Sequence, residues 1–221
     1  MQVSVSIEPY LTAEKEQLKQ YIEEIVRVSN SLAQQKHQVS LHFDYFKPNQ
    51  NAFALVQSYS SKIDIDLHLM QEPAPSVKGF RSVSFDSKDL DLCLKQQDFA
   101  KYHSLMHNIR ELKHECCGLV LDLGSEINGY ESLIREFKYI IIMTVKCGKS
   151  GQVFQESALS LIEQVRQLNP HAEIIIDGGI NENNVNLAKK AGANIVVVGT
   201  YAKKCYESGD LEKGINRLLR V

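Results

Sequence analysis

One stretch of the chain, residues 174–180, constrains the fold more than any other. Three isoleucines are followed by Asp177, then by two glycines, and then by an amphipathic segment at residues 183–191. A run of β-branched apolar residues is typical of a parallel strand buried on both faces, and the glycines indicate a tight turn into a helix. A second buried run, residues 195–198, is closed by Gly199. Two such units in succession predict repeated βα units, with Asp177 at the strand end where these folds place their chemistry.

Strand-like and helix-like segments alternate along the whole chain. We predict strands at residues 3–7, 39–43, 63–69, 117–121, 139–145, 173–176 and 195–198, and helices at 12–35, 53–59, 103–114, 130–137, 156–168, 183–191 and 211–219. An eighth strand is needed between residues 69 and 117, where residues 90–94 and residues 82–85 both qualify. Eight βα units in 221 residues predict an α/β protein with a single (β/α)8 TIM barrel spanning residues 1–221 as one domain.

Composition narrows the classes of function. The net charge is −2 and no basic block occurs, so we expect no nucleic-acid partner. The longest apolar runs are too short to span a membrane, and the first residues lack the pattern of a signal peptide, so we expect no membrane partner. The cysteine count is odd and no C-x-x-C pair occurs, which argues against a disulfide framework or a thiolate zinc site. We therefore expect a cytoplasmic protein.

Polar residues stand near the ends of three predicted strands, at positions where a barrel without a functional site would be expected to have apolar residues. Alternation along a strand places the members of each group on one side of it. The groups are His42 with Asp44, then Asp66 with His68 and Met70, and finally Asp177. Two histidines and two carboxylates that meet at one mouth suit a divalent transition metal. A single H-x-D pair on a strand is more often a hydrogen-bonded polar pair than part of a ligand set. Only the convergence of the three strand ends therefore favours a metal site.

The segment after the sixth predicted strand contains Gly148, Lys149, Ser150 and Gly151. It lacks the first glycine of a Walker A loop, because Met143 stands at that position, and a nucleotide-binding loop is not indicated. The loop amides can still surround a phosphate together with the two glycine-closed strand ends. A mobile βα loop without a ligand is the alternative explanation of the same residues.

Five segments together resemble the ribulose-phosphate 3-epimerase family. They are H-x-D at residues 42–44, D-x-H-L-M at 66–70, M-T-V-x-x-G-x-x-G-Q at 143–152, x-D-G-G at 176–179, and A-G-A-x followed by V-x-G-T at 191–200. Ser6 matches the serine that opens the family's first strand. A single motif of this kind can occur by chance, but five of them in the family's order are specific.

The resemblance implies a metal, a reaction and a substrate. The metal, which is zinc, iron, manganese or cobalt, would be held by His42, Asp44, His68 and Asp177. Asp44 and Asp177 would be the two acid/base groups that convert D-ribulose 5-phosphate to D-xylulose 5-phosphate through an enediolate. The implied substrate-binding residues are Ser6, His68, Met70, Met143, Gly148, Ser150, Gly151, Gly178, Gly179, Gly199 and Thr200. The resemblance also implies a small phosphorylated sugar as partner and self-association into a homo-oligomer.

The chain departs from the family's pattern around the expected substrate. Phe46 replaces a methionine, Cys147 and Lys149 replace a proline and a phenylalanine, Asp122-Leu123 replaces an N-P pair, and the family's H-x-E on the fourth strand is not recognisable. The metal and acid/base residues are all present. Two alternatives therefore stay open: epimerisation of another sugar phosphate such as a hexulose 6-phosphate, and a non-catalytic phosphosugar-binding protein.

Overall fold

The chain folds into a closed barrel of eight parallel strands. The computed structural model describes residues 1–45, 50–69, 81–86, 117–146 and 151–220. The strands pair in chain order, with the eighth beside the first. They are β1 (Gln2–Ser6), β2 (Val39–Tyr45), β3 (Ile65–Leu69), β4 (Ser82–Asp86), β5 (Cys117–Leu121), β6 (Tyr139–Met143), β7 (Glu173–Asp177) and β8 (Ile195–Val198). This topology confirms the predicted (β/α)8 barrel.

Helices cover the outside of the barrel. In the described part of the chain they are α1 (Lys15–Ala33), α2 (Gln50–Gln57), α3 (Glu131–Glu136), α4 (Ala158–Leu168), α5 (Val185–Ala191), α6 (Thr200–Glu207) and α7 (Leu211–Leu219), and a 3-10 turn at Glu8–Tyr10 follows β1. The long helix α1 buries apolar side chains at helical spacing, among them Leu18, Ile22 and Ile25. None of the helices within the described ranges is long and apolar enough to cross a membrane.

Some sequence predictions need correction. The eighth strand is Ser82–Asp86, which confirms residues 82–85 over residues 90–94 as the strand that the barrel needed. Residues 90–94 and the predicted helix at 103–114 lie outside the described residues. Helix α6 was missed, because its eight residues are mostly polar and bury only Ala202 and Cys205 among them. The strand predicted at residues 139–145 ends earlier, at Met143.

Alternation along the strands divides their side chains between two cores. Odd-numbered residues of β1–β3, such as Val5, Leu41 and Ile65, pack outward against the helices in the larger apolar cluster. A second, smaller cluster fills part of the barrel interior and is contributed by β5–β8: Val120, Tyr139, Ile141, Met143, Ile175, Ile195 and Val197. The barrel is thus a packed structure on both sides of its wall.

The interior half that β1–β4 contribute is polar instead of apolar. Its buried residues are Ser4, Ser6, Ser40, His42, Asp44, Asp66, His68, Ser82 and Ser84. Buried polar groups are tolerated when they are hydrogen-bonded or paired with an opposite charge. Burial alone would raise the pKa of Asp66, but the guanidinium of Arg81 lowers it below its usual range, so this carboxylate is charged. The interior is therefore divided into a polar half and an apolar half.

Gly118 on β5 gives a test of how closely the two halves are packed. A methyl group at this position would stand 2.2 Å from Ser84 Oγ and 3.1 Å from Tyr139 Cβ. We expect Gly118→Ala to lower the free energy of unfolding in urea by about 1–3 kcal/mol, since overpacking forces side chains out of place. In a Ser84→Gly background the same substitution should cost less. An equal cost in both backgrounds would rule out the Ser84 contact as the cause.

Candidate active site

Four of the residues singled out in the sequence meet at the carboxyl mouth of the barrel. His42, Asp44, His68 and Asp177 each offer a ligand atom, and these atoms all lie within 4.8 Å of one another. Both imidazoles are fully buried, and Asp44 is 8% exposed. The structure thus brings together residues from β2, β3 and β7 that are far apart in the chain.

Strand geometry explains how these side chains converge. His42 and Asp44 are two residues apart on β2, so both point into the barrel. In the parallel pairing of β2 with β3, Asp44 stands opposite His68, which places their side chains next to each other on the inner face. Asp177 is the last residue of β7 and stands opposite Met143 of β6. Met143 therefore supplies a buried apolar surface beside this carboxylate.

One oxygen of Asp44 is shared by both histidines. Asp44 Oδ1 lies 3.1 Å from His42 Nε2 and 3.1 Å from His68 Nδ1. His42 Nε2 also lies 3.8 Å from Asp177 Oδ2. The two imidazole nitrogens and both carboxylates therefore face a common point.

The two carboxylates of this cluster have opposite electrostatic environments. Burial alone would raise the pKa of Asp44, but His42 and His68 beside it lower that pKa well below its usual range. Burial and the negative charge of Asp44 raise the pKa of Asp177 to about 6, against the opposing effect of the imidazoles. Burial likewise works against a charge on His42, yet Asp44 and Asp177 raise its pKa overall. In the metal-free protein one carboxylate is therefore charged while the other can hold a proton near neutral pH, a pattern typical of acid/base pairs.

The same donor set fits a metal ion. Two imidazole nitrogens and two carboxylate oxygens suit zinc, iron, manganese or cobalt, whereas magnesium and calcium prefer oxygen donors alone. His42 Nε2 and His68 Nδ1 are already directed at one point, the shared Asp44 oxygen. The chemistry and the convergence of the donors suit a metal ion, and the assignment of these four residues as its ligands stays a prediction.

Glycines form a backbone surface beside this cluster. Gly178 and Gly179 follow Asp177 with φ angles of 124° and 66°, which side-chain-bearing residues rarely adopt. A Cβ on Gly179 would stand 2.3 Å from the backbone nitrogen of Phe154, so the loop after β7 packs directly on the loop after β6. A Cβ on Gly151 would stand 3.9 Å from Thr200 Oγ1, so the loop after β6 also reaches the start of α6. Three βα connections thus meet at one place.

The third of these connections ends in a helix N-terminus. Gly199 directly precedes α6, whose first residue is Thr200. Helix N-termini favour anions because their first backbone N–H groups have no partner within the helix. Ser6 lies next to this point, since a Cβ on Gly199 would stand 3.7 Å from Ser6 Cβ. Ser6 Oγ also accepts a hydrogen bond of 3.1 Å from the backbone N–H of Glu8.

Other residues named from the sequence lie outside the described residues. They are Phe46, Met70, Cys147, Gly148, Lys149 and Ser150. Their expected roles stay predictions. Asp122 and Leu123 are described, and they form part of a turn in which the N–H of Ser125 donates to the carbonyl of Asp122.

The structure also reveals residues that the sequence interpretation missed. Thr144 is fully buried, and its Oγ1 donates to the carbonyls of Asp177 at 3.0 Å and of Gly178 at 2.5 Å, which fixes the end of β7. A polar residue directly after a run of apolar strand residues was the available signal, the same one that identified Asp177. Glu8, two residues after Ser6, adds a negative charge that contributes to the raised pKa of Asp177.

The fold and this cluster define a (β/α)8 barrel with paired histidines and aspartates at its carboxyl mouth. Solved structures similar in fold include a mutant tryptophan synthase alpha-subunit from Pyrococcus furiosus, with a TM-score of 0.62 and 12% sequence identity over 99% of this chain and 97% of that one. Another is thiamine phosphate pyrophosphorylase from Pyrococcus furiosus, with a TM-score of 0.57 and 12% identity over 99% and 94% of the two chains. At these identities the similarity concerns the fold alone.

Sequence comparison identifies the family. The model of the ribulose-phosphate 3-epimerase family matches residues 20–202. The ribulose-phosphate 3-epimerase of Aquifex aeolicus is 31% identical over 172 residues, which are 72% of this chain and 75% of that protein. The chloroplastic ribulose-5-phosphate-3-epimerase of Arabidopsis thaliana is 29% identical over 69% of this chain and 55% of that protein. The Candida glabrata ribulose-phosphate 3-epimerase is 40% identical over 61% and 53% of the two chains.

The chain therefore belongs to the ribulose-phosphate 3-epimerase family. The family's members are isomerases, and the assignment confirms both the resemblance and the enzyme class that the sequence predicted.

The raised pKa of Asp177 predicts a pH dependence of the metal-free protein. With the folded-state pKa at about 6 and the unfolded value at about 4, the folded protein holds a proton that the unfolded chain has released between these limits. The contribution of Asp177 to the free energy of unfolding should therefore fall as the pH rises through this window. Carbon-13 NMR of the side-chain carboxyls should show a midpoint near 6 that Asp177→Asn removes. A midpoint near the ordinary value for aspartate would contradict the prediction.

Proposed function

We propose that this chain catalyses metal-dependent 3-epimerisation of a ketose phosphate, with D-ribulose 5-phosphate and D-xylulose 5-phosphate as the substrate pair. The observation that carries the proposal is the convergence of Asp44 and Asp177 with His42 and His68, whose ligand atoms all lie within 4.8 Å of one another. The names of the relatives agree with this reaction.

The chemistry of epimerisation explains why two carboxylates are needed. Inverting a carbon next to a ketone requires removal of its proton from one face and return of a proton to the other face. A charged carboxylate can accept the first proton, and a protonated one can donate the second. In the metal-free protein the pKa of Asp44 is lowered and that of Asp177 is raised, which is consistent with these two roles. In the reverse direction the two residues exchange roles.

His42, Asp44, His68 and Asp177 would hold the divalent metal, which is zinc, iron, manganese or cobalt. When bound, the metal supplies positive charge that stabilises the negative charge developing on the substrate oxygens. The surrounding residues limit the access of solvent to this point, because both imidazoles are inaccessible to solvent and Met143 is 5% exposed. Low local polarity strengthens every charge interaction in the site.

The glycine surface beside the cluster would bind the substrate phosphate. The supporting observation is the meeting of Gly178–Gly179, Gly151 and the α6 N-terminus at Gly199–Thr200. Backbone N–H groups at glycine-rich turns and helix N-termini bind phosphate, and barrels of this kind often do so at the ends of β7 and β8. Gly148 and Ser150 would complete the loop, and Ser6 and Met70 would contact the sugar.

The alternative functions are suggested by the residues around the expected substrate that depart from the family's pattern. Replacement of the family's N-P pair by Asp122-Leu123 is consistent with another sugar phosphate, such as a hexulose 6-phosphate. Retention of the complete acid/base pair favours catalysis over a phosphosugar-binding protein without activity. Self-association and a cytoplasmic location stay predictions, as does the extent of a single domain over residues 1–221.

Asp44→Asn and Asp177→Asn should each abolish epimerisation, because each amide removes one of the two proton-transferring groups. The assay is conversion of D-ribulose 5-phosphate, with NMR of each epimer in heavy water to follow exchange of the C3 proton. If each carboxylate serves one face, a single variant should still exchange the proton of one epimer while failing to convert it.

Metal content must be measured in the same samples, since an amide also weakens a metal ligand. Asn169→Ala, far from the mouth, serves as a control for loss of stability, because among the described residues its side chain bonds to the backbone of residues 134–137 and to the backbone N–H of His171. Near-normal turnover by either aspartate variant with metal bound would refute the two-carboxylate mechanism. If the unmodified chain bound no metal and converted no ketose phosphate, the non-catalytic alternative would be favoured.

Gly199→Asp should raise the KM for the sugar phosphate by about tenfold or more, since like charges a few ångströms apart repel by several kcal/mol in a partly buried site. Gly199→Ala adds a side chain without charge and separates the steric part of the effect. Gln164→Glu, exposed on α4, adds the same charge on the outside of the barrel and should leave the KM unchanged. An unchanged KM in Gly199→Asp would show that the phosphate binds elsewhere.

A further inference from the structure

Asp66 is a buried carboxylate next to the metal-ligand cluster that is not part of it. It stands opposite His42 in the pairing of β2 with β3, and it lies two residues before His68 on the same inner face. Its side chain is completely inaccessible to solvent. Yet the cluster of ligand atoms found among the described residues comprises His42, Asp44, His68 and Asp177 without Asp66. The hydrogen-bond partners of Asp66 explain why its carboxylate is not part of the cluster.

The oxygens of Asp66 are fully engaged by other donors. Oδ1 accepts from Arg81 Nε at 2.9 Å and from Ser82 Oγ at 2.7 Å. Oδ2 accepts from Arg81 Nη2 at 2.5 Å and from Ser4 Oγ at 3.1 Å, and Ser40 Oγ lies 3.0 Å from it. A carboxylate offers about four acceptor sites, and these contacts use all of them. Asp66 is left with no lone pair for a metal ion.

Arg81 is the centre of this arrangement. It directly precedes β4, and its guanidinium binds both oxygens of Asp66 in the two-pronged geometry that arginine and a carboxylate favour. Its Nη2 also donates to Ser40 Oγ at 3.0 Å, and Nη1 lies 3.4 Å from Gln2 Oε1. Through Asp66 and these contacts Arg81 connects the four strands of the polar half. Two of those strands, β2 and β3, carry three of the four ligand residues.

We propose that Arg81 and Asp66 form a positioning pair for the metal centre. The pair fixes β2 and β3 relative to each other, so that His42 and His68 direct their nitrogens at one point, and it withholds the Asp66 carboxylate from that point. Arg81 acts through Asp66 and touches neither substrate nor metal. This inference rests on the proposed metal-binding role of the four-residue cluster.

The experiment compares two arginines at the amino end of the barrel. Arg166 is partly buried, and it donates to the carbonyls of Pro170, Ala172 and Gly192 in the connections that precede β7 and β8. Arg81→Met and Arg166→Met each remove one guanidinium and keep most of the side-chain volume. For the unmodified chain and both variants, the Kd for Zn²⁺ and for Mn²⁺ is measured by competition with a chromophoric chelator, and the Tm is measured without metal.

Both variants should have a lower Tm than the unmodified chain. Only Arg81→Met should also bind metal more weakly, by about tenfold or more, which is the usual effect of removing a group that orients metal ligands. Arg81→Lys should show an intermediate loss, because lysine keeps the charge but not the two-pronged contact. If Arg81→Met and Arg166→Met both kept the unmodified Kd, Arg81 would have only a structural role and the proposal would be overturned.

A milder variant covers the case in which Arg81→Met fails to fold. Ser82→Ala removes one donor to Asp66 Oδ1 and leaves the ion pair in place, so a smaller increase in the metal Kd is expected. Nitrogen-15 NMR of the histidine side chains gives a second readout without metal: the signals of His42 and His68 should change in the Arg81 and Ser82 variants but not in Arg166→Met. Unchanged signals in the Arg81 and Ser82 variants would overturn the proposal. Lack of metal binding or of epimerisation by the unmodified chain would instead count against the proposed function.

Discussion

The structure depends above all on how three aspartates inside one barrel, two of them buried and one partly buried, are compensated. Removing a carboxylate from water is so costly that a partner or a proton must accompany it. Asp66 has the guanidinium of Arg81, and Asp44 has the two imidazoles. Asp177 shares the imidazoles with Asp44, and burial together with the negative charge of Asp44 raises its pKa to about 6. The three aspartates are thus compensated in three different ways, and these differences underlie the three proposed roles: a structural anchor, a proton acceptor and a proton donor.

The polar and apolar halves of the barrel interior correspond to two parts of the proposed reaction, namely proton transfer and phosphate binding. The charged groups are concentrated on β2 and β3, in the polar half, and Asp177 joins them from the end of β7. Phosphate binding would use backbone at the ends of β6, β7 and β8, where the interior side chains below are apolar and the loops are glycine-rich. Asp177 and Gly178 are consecutive residues, so the boundary between the two tasks lies within one strand end. A small sugar phosphate can therefore reach both regions at once.

The sequence predicted the parts of this arrangement that follow from local rules. Because the side-chain period in a strand is fixed, the spacing of His42 and Asp44 was sufficient to place them on one face. The apolar run before Asp177 and the two glycines after it were sufficient to place this residue at a strand end. The interaction of Asp66 with Arg81 was not predictable, since the partners of Asp66 come from β1, β2 and β4 and the pairing of these strands is decided by barrel closure. The same reason applies to the opposite pKa shifts of Asp44 and Asp177, which depend on distances between strands. Helix α6 was missed because it buries little apolar surface, and the strand at residues 82–86 competed with an equally regular pattern nearby.

The order of the polar and apolar halves along the chain also matters during synthesis. Strands β1–β4 leave the ribosome first, and the concave face that they form carries serines, histidines and aspartates. Those groups remain hydrated until β5–β8 arrive, so desolvation of the charges is postponed to the moment when the ring closes. The inner face of an unfinished barrel is consequently wettable, and the apolar surface of β1–β3 that neighbouring nascent chains could adhere to lies on the side that the helices cover.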